Sequence, residues 1–160
     1  LKKSYKIEWI ILGDGRWKEK LINLIKENNL NEEIKVINSV PVSKVRSFFN
    51  HADALYLSLK NNATFKKTVP GKLQTYMFSE KPIIASISGE ANKIILEANC
   101  GYTGEAEDYN ALANNVVKFV KLNNQEKNKL GLNGKNYASK YFEKKDILKK
   151  LNEEIKNLKK

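Results

Sequence analysis

The chain has 160 residues, 41% of them hydrophobic, enough for one domain with a substantial core. Its 29 Lys and Arg against 18 Asp and Glu give a formal charge of +11, which points to anionic partners: nucleic acid, a membrane surface or a phosphorylated ligand. A lone cysteine, Cys100, excludes an internal disulfide and a cysteine metal cluster; with no run of eighteen apolar residues and no secretory leader pattern, the sequence reads as soluble and cytoplasmic.

Taken in order, the chain alternates strand and helix. Lys6 to Leu12 is a β-rich apolar run, and Gly13-Asp14-Gly15 turns it into a helix with Trp17, Leu21, Leu24 and Ile25 as its apolar positions. Ile34 to Ile37 is a second short strand. Val40-Pro41-Val42-Ser43 then turns the chain, Ser43 reads as an N-cap, and Val45, Phe48 and Phe49 line a brief helix that ends near His51, a surface residue at the helix end. Ala54 to Leu57 is the third strand. A basic loop, Ser58 to Val69, leads to Pro70-Gly71, after which Leu73, Tyr76 and Met77 recur at helical spacing until Lys81-Pro82.

Ile83 to Ala85 is the fourth strand, Gly89 permits a turn, and Glu90 opens a helix containing Ile94, Ile95 and Ala98. Cys100 to Thr103 is the last strand candidate. Asp108 reads as the N-cap of a helix from Tyr109 to Val120, and helices follow over Gln125 to Tyr141 and from Lys144 or Asp146 to about Leu158. In the last of these Leu148, Leu151, Ile155 and Leu158 form a narrow apolar stripe on a charged helix.

Nearly continuous apolar strands separated by helices argue for a mostly parallel sheet of about five strands with helices on both faces, a three-layer α/β/α fold ending in C-terminal helices. Ligands bind such sheets beyond the carboxyl ends of the strands, here Gly13 to Gly15, Asn38 to Val42, Ser58 to Gly71 and Ser86 to Glu90, which are expected to line one edge. The helix that opens at Gly71 turns unpaired N–H groups and a positive dipole end outward, so Gly71 to Leu73 is a candidate anion site. Lys67 and Lys72 could equally be solvated lysines, and Tyr76 and Met77 read as core. Glu90 and Glu97 share a helix face, but Glu97 sits near the helix end, where a surface or capping role fits better than acid–base work.

Together L-G-D-G-R-W-K-E-K-L, V-I-N-S-V-P-V-S-K-V-R-S-F-F-N-H-A-D-A-L, V-P-G-K-L-Q-T-Y-M-F-S-E-K-P-I-I-A-S, I-L-E-A-N-C-G and N-G-K-N-Y-A-S-K-Y-F resemble the C-terminal, donor-nucleotide-binding half of a retaining GT-B glycosyltransferase. The likeness is to family four, among enzymes that build surface polysaccharides from nucleotide-activated amino sugars. It implies a Rossmann-like nucleotide-sugar-binding domain over residues 1–142 and a C-terminal helix over 143–160 that packs on that domain or toward an acceptor domain.

By this resemblance Gly13, Gly15, Val40 and Pro41 surround the nucleobase through backbone groups, and Pro70, Gly71, Lys72 and Leu73 seat the diphosphate. Phe65 and Lys67 are candidates for the sugar or a phosphate. Helix dipole and basic side chains stabilise the departing nucleoside diphosphate, so neither a metal nor another cofactor is expected and a UDP-sugar is the donor. The family usually carries two glutamates eight residues apart, whose places fall on Lys67 and Thr75, leaving the ribose to Thr75 or Gln74. The chain begins at what resembles the family's second strand. It is therefore expected to lack half of the phosphate clamp and the acceptor domain, and to be inactive alone. The resemblance also leaves room for peripheral membrane association at the inner face. The alternative reading is a basic, non-catalytic module for nucleic acid or a protein partner. Against nucleic acid, no five like charges run together and no aromatics interleave with Arg.

Overall fold

The computed structural model describes residues 5–158. The chain divides into two compact units, one ending at Phe48 and one beginning at Phe49. The five expected strands are all present, and hydrogen bonding groups them into a parallel pair and a parallel triplet.

In the first unit, β1 (Trp9–Leu12) and β2 (Ile34–Ile37) pair in parallel, Trp9 opposite Ile34 and Leu12 opposite Ile37. The β-branched runs I-I and V-I supply that pairing, and α1 (Lys18–Glu27) is the crossover a parallel pair requires. α1 begins later than its apolar spacing predicts. Trp17 stands at the N-cap position, 66% exposed, and Ile25 is the helix's buried residue. The strand is also shorter than the run from Lys6, because ladder pairing starts at Trp9. The division between the units falls within α2 (Val42–His51). Ser43 is already inside this helix, so it does not cap it; the first turn closes instead through the Lys44 amide donating to the Pro41 carbonyl at 2.8 Å.

In the second unit the strand order is β3 (Leu55–Ser58), β4 (Ile83–Ser86), β5 (Gly101–Gly104), all parallel. β4 is central and buried at every position, as an I-I-A-S strand covered on both faces should be. Side chains alternate across a strand. Ile83 and Ala85 therefore share a face, and there they meet Leu73 and Met77 of α4 (Gly71–Phe78), Ala91 and Ile95 of α5 (Glu90–Glu97), and Ala138 of α7 (Asn124–Tyr141). α6 (Tyr109–Val120) covers the opposite face, where Gly104 lies against Ala111. Fully burying Leu73, Met77, Ile83 or Ile95 contributes about 1.5–3 kcal/mol each.

Helix ends follow local chemistry. Asp108 accepts from the Ala111 amide, as its N-cap reading predicts, and Asn123 with Glu126 forms a reciprocal capping box at the start of α7. α4 ends before Lys81-Pro82: Ser79 caps it, and Glu80 takes a left-handed φ of 58° that turns the chain. α7 fits closely over that turn because its facing positions are Gly131, Gly134 and Ala138; a Cβ at Gly131 would lie 1.9 Å from the Glu80 carbonyl oxygen. A short helix, α3 (Ala63–Lys66), lies in the basic loop after β3 and is capped by Asn62. α8 (Lys144–Asn157) buries no residue, and Leu148, Leu151, Ile155 and Leu158 are all exposed.

Candidate functional site

α4 opens at the carboxyl end of the second unit's sheet. Pro70, with an extended ψ of 139°, is its N-cap, and no side chain caps the helix. A proline has no N–H to offer and cannot cap by side chain, so the first amides face outward. Gly71 and Lys72 are exposed there. Leu73, assigned to the same anion seat, contributes in another way: its side chain is fully buried and its amide already donates to the Pro70 carbonyl at 2.9 Å, so it anchors the seat from below. The Thr75 hydroxyl donates to the Gly71 carbonyl at 3.1 Å and keeps lone pairs to accept with, while Gln74 is half-buried beside it.

Phe65 is half-buried in α3 and Lys67 is exposed at its C-cap. The second unit joins two strand-end segments here. Gly89, at φ 84°, passes so close to Lys66 that a Cβ would fall 1.9 Å from its carbonyl oxygen, which brings the loop after β4 against the loop after β3. A polar joint ties β4 to the loop after β5. Buried Ser88 donates to the Glu105 carboxylate and accepts from the Ala106 amide at 3.0 Å, and Ser86 donates to the Glu105 carbonyl and accepts from the Glu107 amide, both at 3.2 Å. These serines carry no motif in the sequence; small polar residues at the end of a central strand are the signal there.

In the first unit, Gly13 and Gly15 follow β1, and Val40 and Pro41 follow β2. Gly13 has φ 145°, and its amide donates to the Ile37 carbonyl at 2.9 Å, continuing the ladder one step past the strands. The structure brings these two segments together through Asp14, the middle residue of the Gly13–Gly15 turn. Its carboxylate accepts from Lys18 Nζ at 2.5 Å and from the Ser39 amide at 2.7 Å, and also from the Ser39 hydroxyl; Lys18 donates in addition to the Asn38 carboxamide oxygen. These bonds, led by that from Lys18 and then those from Ser39, hold the Asp14 carboxyl well below the usual carboxylate range. The Asp14–Lys18 spacing of four was the signal in the sequence.

The eight glycines separate cleanly. A Cβ at Gly89, Gly101, Gly104, Gly131 or Gly134 would crowd a neighbouring atom at 1.8 to 3.2 Å, whereas one at Gly13, Gly15 or Gly71 would meet nothing within 4 Å. Gly13 is accounted for by its backbone angle. Gly15 and Gly71 have neither a left-handed φ nor a crowding neighbour, so packing does not require a glycine at either position.

A model of the family described as glycosyl transferases group 1 matches residues 1–137. The chain belongs to this family. A curated relative, an uncharacterized glycosyltransferase of Methanocaldococcus jannaschii, is 26% identical over 156 residues, 96% of this chain and 42% of its own length. S. aureus TarM, crystallised with fondaparinux, α-GlcNAc-glycerol and UDP, superposes with a TM-score of 0.76 at 17% identity, covering 95% of this chain and 29% of that one. The C-terminal domain of LpcC, a glycosyl transferase group 1 protein of Francisella tularensis, gives a TM-score of 0.63 at 18% identity, covering 80% and 63%. These structures establish a Rossmann-like GT-B fold, and this chain spans well under half of the curated relative's length. Among the described residues, no helix is long and apolar enough to cross a membrane, and no group of three or more His, Cys, Asp and Glu could hold a metal ion.

Proposed function

We propose that the chain is the donor-nucleotide-binding half of a retaining, family-four GT-B glycosyltransferase that moves a hexosyl unit, an N-acetylamino sugar, from UDP to a surface-polysaccharide or lipid-linked acceptor. The observation that carries this reading is the start of α4: an uncapped helix N-terminus with exposed Lys72 and a glycine that packing does not require, in a chain of a glycosyltransferase family. Pro70, Gly71, Lys72 and Leu73 hold the diphosphate, where helix dipole and ammonium stabilise the charge that grows on the leaving group. Gly13, Gly15, Val40 and Pro41 take the nucleobase, Thr75 or Gln74 the ribose, and Phe65 and Lys67 lie toward the sugar or a phosphate. The choice of UDP and of an N-acetylamino sugar is supported by the TarM complex, whose ligands include UDP and α-GlcNAc-glycerol.

The reaction is proposed to need no metal and no other cofactor. Acceptor binding belongs to a separate N-terminal half, so turnover requires both halves. The amphipathic α8, with its exposed stripe and five lysines, is available for that half or for the inner face of a membrane. UDP is expected to raise the thermal unfolding midpoint of the chain, since a ligand that binds only the folded state stabilises it in proportion to the logarithm of its concentration over Kd. No shift with any nucleoside diphosphate at millimolar concentration would overturn the assignment. A shift lost steeply with salt and blind to the base would indicate charge attraction alone.

A further inference from the structure

We infer that Asp14 is a positioning residue that fastens the Gly13–Gly15 turn to the Asn38–Ser39 segment before any ligand arrives. The inference rests on the reading that these segments receive the nucleobase. Its ground is the completeness of the contact. One carboxylate accepts a backbone amide and a hydroxyl from Ser39, and an ammonium from Lys18, which is itself bonded to Asn38. Every partner lies in a strand-end segment of the first unit or at the start of α1, so the carboxylate spans the mouth of the β1–β2 pair.

Beyond the bonds from the Gly13 amide to the Ile37 carbonyl and from the Lys18 amide to the Gly15 carbonyl, little packing holds these loops in place. Gly13 and Gly15 have no neighbour within 4 Å of where a side chain would begin, Val42 is 88% exposed, and Ile25 is the one buried apolar residue of that unit among the described residues. Two loops without packing sample many separations, and binding would have to select one. Three charge-assisted hydrogen bonds to a single carboxylate remove that freedom in advance. Lys18 is thereby committed to Asp14 and Asn38, so it is not a spare cation for a phosphate.

Two arms test this on the full chain. In the absence of ligand, amide hydrogen exchange in Asp14→Ala and Asp14→Asn is expected to speed up on the order of tenfold in residues 13–18 and 38–42 together, with Leu24 and Ile25 amides unchanged as the report that the unit is folded. Exchange unchanged in either segment overturns the fastening. In the second arm, affinities for UDP and for inorganic pyrophosphate are compared by calorimetry. Asp14→Asn and Ser39→Ala are expected to weaken UDP on the order of tenfold and leave pyrophosphate within about twofold, with Ser39→Thr restoring UDP. Parallel loss of both ligands, or of neither, overturns the positioning role. A wild-type chain that binds neither ligand refutes the function proposed above, while the exchange arm still decides whether Asp14 holds the loops.

Discussion

The two units are held by different forces. In the second, Leu57, Leu73, Met77, Ile83, Ala85, Ile95 and Cys100 form one apolar cluster, and Gly89 before α5, Gly101 on β5 and Gly131 on α7 let backbones approach until no methyl would fit. In the first, Ile25 alone is buried among apolar residues described, Ile10 and Ile11 of β1 are 53% and 38% exposed, and a polar network around Asp14 joins the loops. Packing is dense and intolerant of volume, whereas a carboxylate network is local and sets the spacing of loops. The candidate diphosphate seat stands on the first kind of foundation: Leu73 and Met77 are fully buried under α4, so the amides of Gly71 and Lys72 start from a helix anchored in the core.

The sharpest way to break that contrast is Gly131→Val. Its side chain would start 1.9 Å from the Glu80 carbonyl, so α7 must separate from the turn after α4; a loss of about 3 kcal/mol or more is expected in urea unfolding. An unchanged midpoint would show that the approach is not needed. Ile25→Ala should cost about 2–3 kcal/mol, and its effect should appear as faster exchange confined to the first unit, because the lost contacts are local there. Exchange accelerating equally throughout the second unit would contradict the division.

Cys100 offers a test by pH. Burial pushes its thiol from an ordinary 9.0 up to about 12. The unfolded chain therefore releases the proton first. Stability from the neutral buried thiol is complete below pH 9 and declines as pH rises from 9 toward 12, by up to about 1.4 kcal/mol per unit. Cys100→Ala should flatten the difference between pH 8 and pH 10 by about 1 kcal/mol, and the native thiol should resist alkylation at pH 8. Rapid native labelling would show that the site is not sealed. The smallest effect is expected from Leu151→Ser on α8, within about 0.5 kcal/mol, since that side chain is already 53% exposed.

Much of this was readable from residues. The apolar run at Ile83 to Ala85 fits a short strand buried on both faces, and the helical spacing of Leu73, Tyr76 and Met77 fits a helix with one face on the core. The cap at Asp108 follows from side-chain chemistry, while α3 and its Asn62 cap lie where the sequence reads as loop; Ser43 misleads, since a serine near a helix start marks an N-cap only if the helix begins after it, and here the helix begins at Val42. Trp17 was counted on an apolar face for the same reason, since α1 starts one residue beyond it. Gly71 was legible through Pro-Gly before an amphipathic run. Asp14 showed only its spacing of four from Lys18, because Ser39 lies 25 positions from it and Asn38 lies 20 from Lys18, and only the fold of the β1–β2 pair brings them together.

The central claim, that the start of α4 is a diphosphate seat, is tested most directly by UDP titration calorimetry on Gly71→Val beside the wild type. The structure has room for the side chain, with nothing within 4 Å of its Cβ, so the unfolding midpoint should stay within about 0.5 kcal/mol of wild type while UDP affinity falls at least on the order of tenfold. A folded Gly71→Val chain that binds UDP as tightly as the wild type would contradict the account.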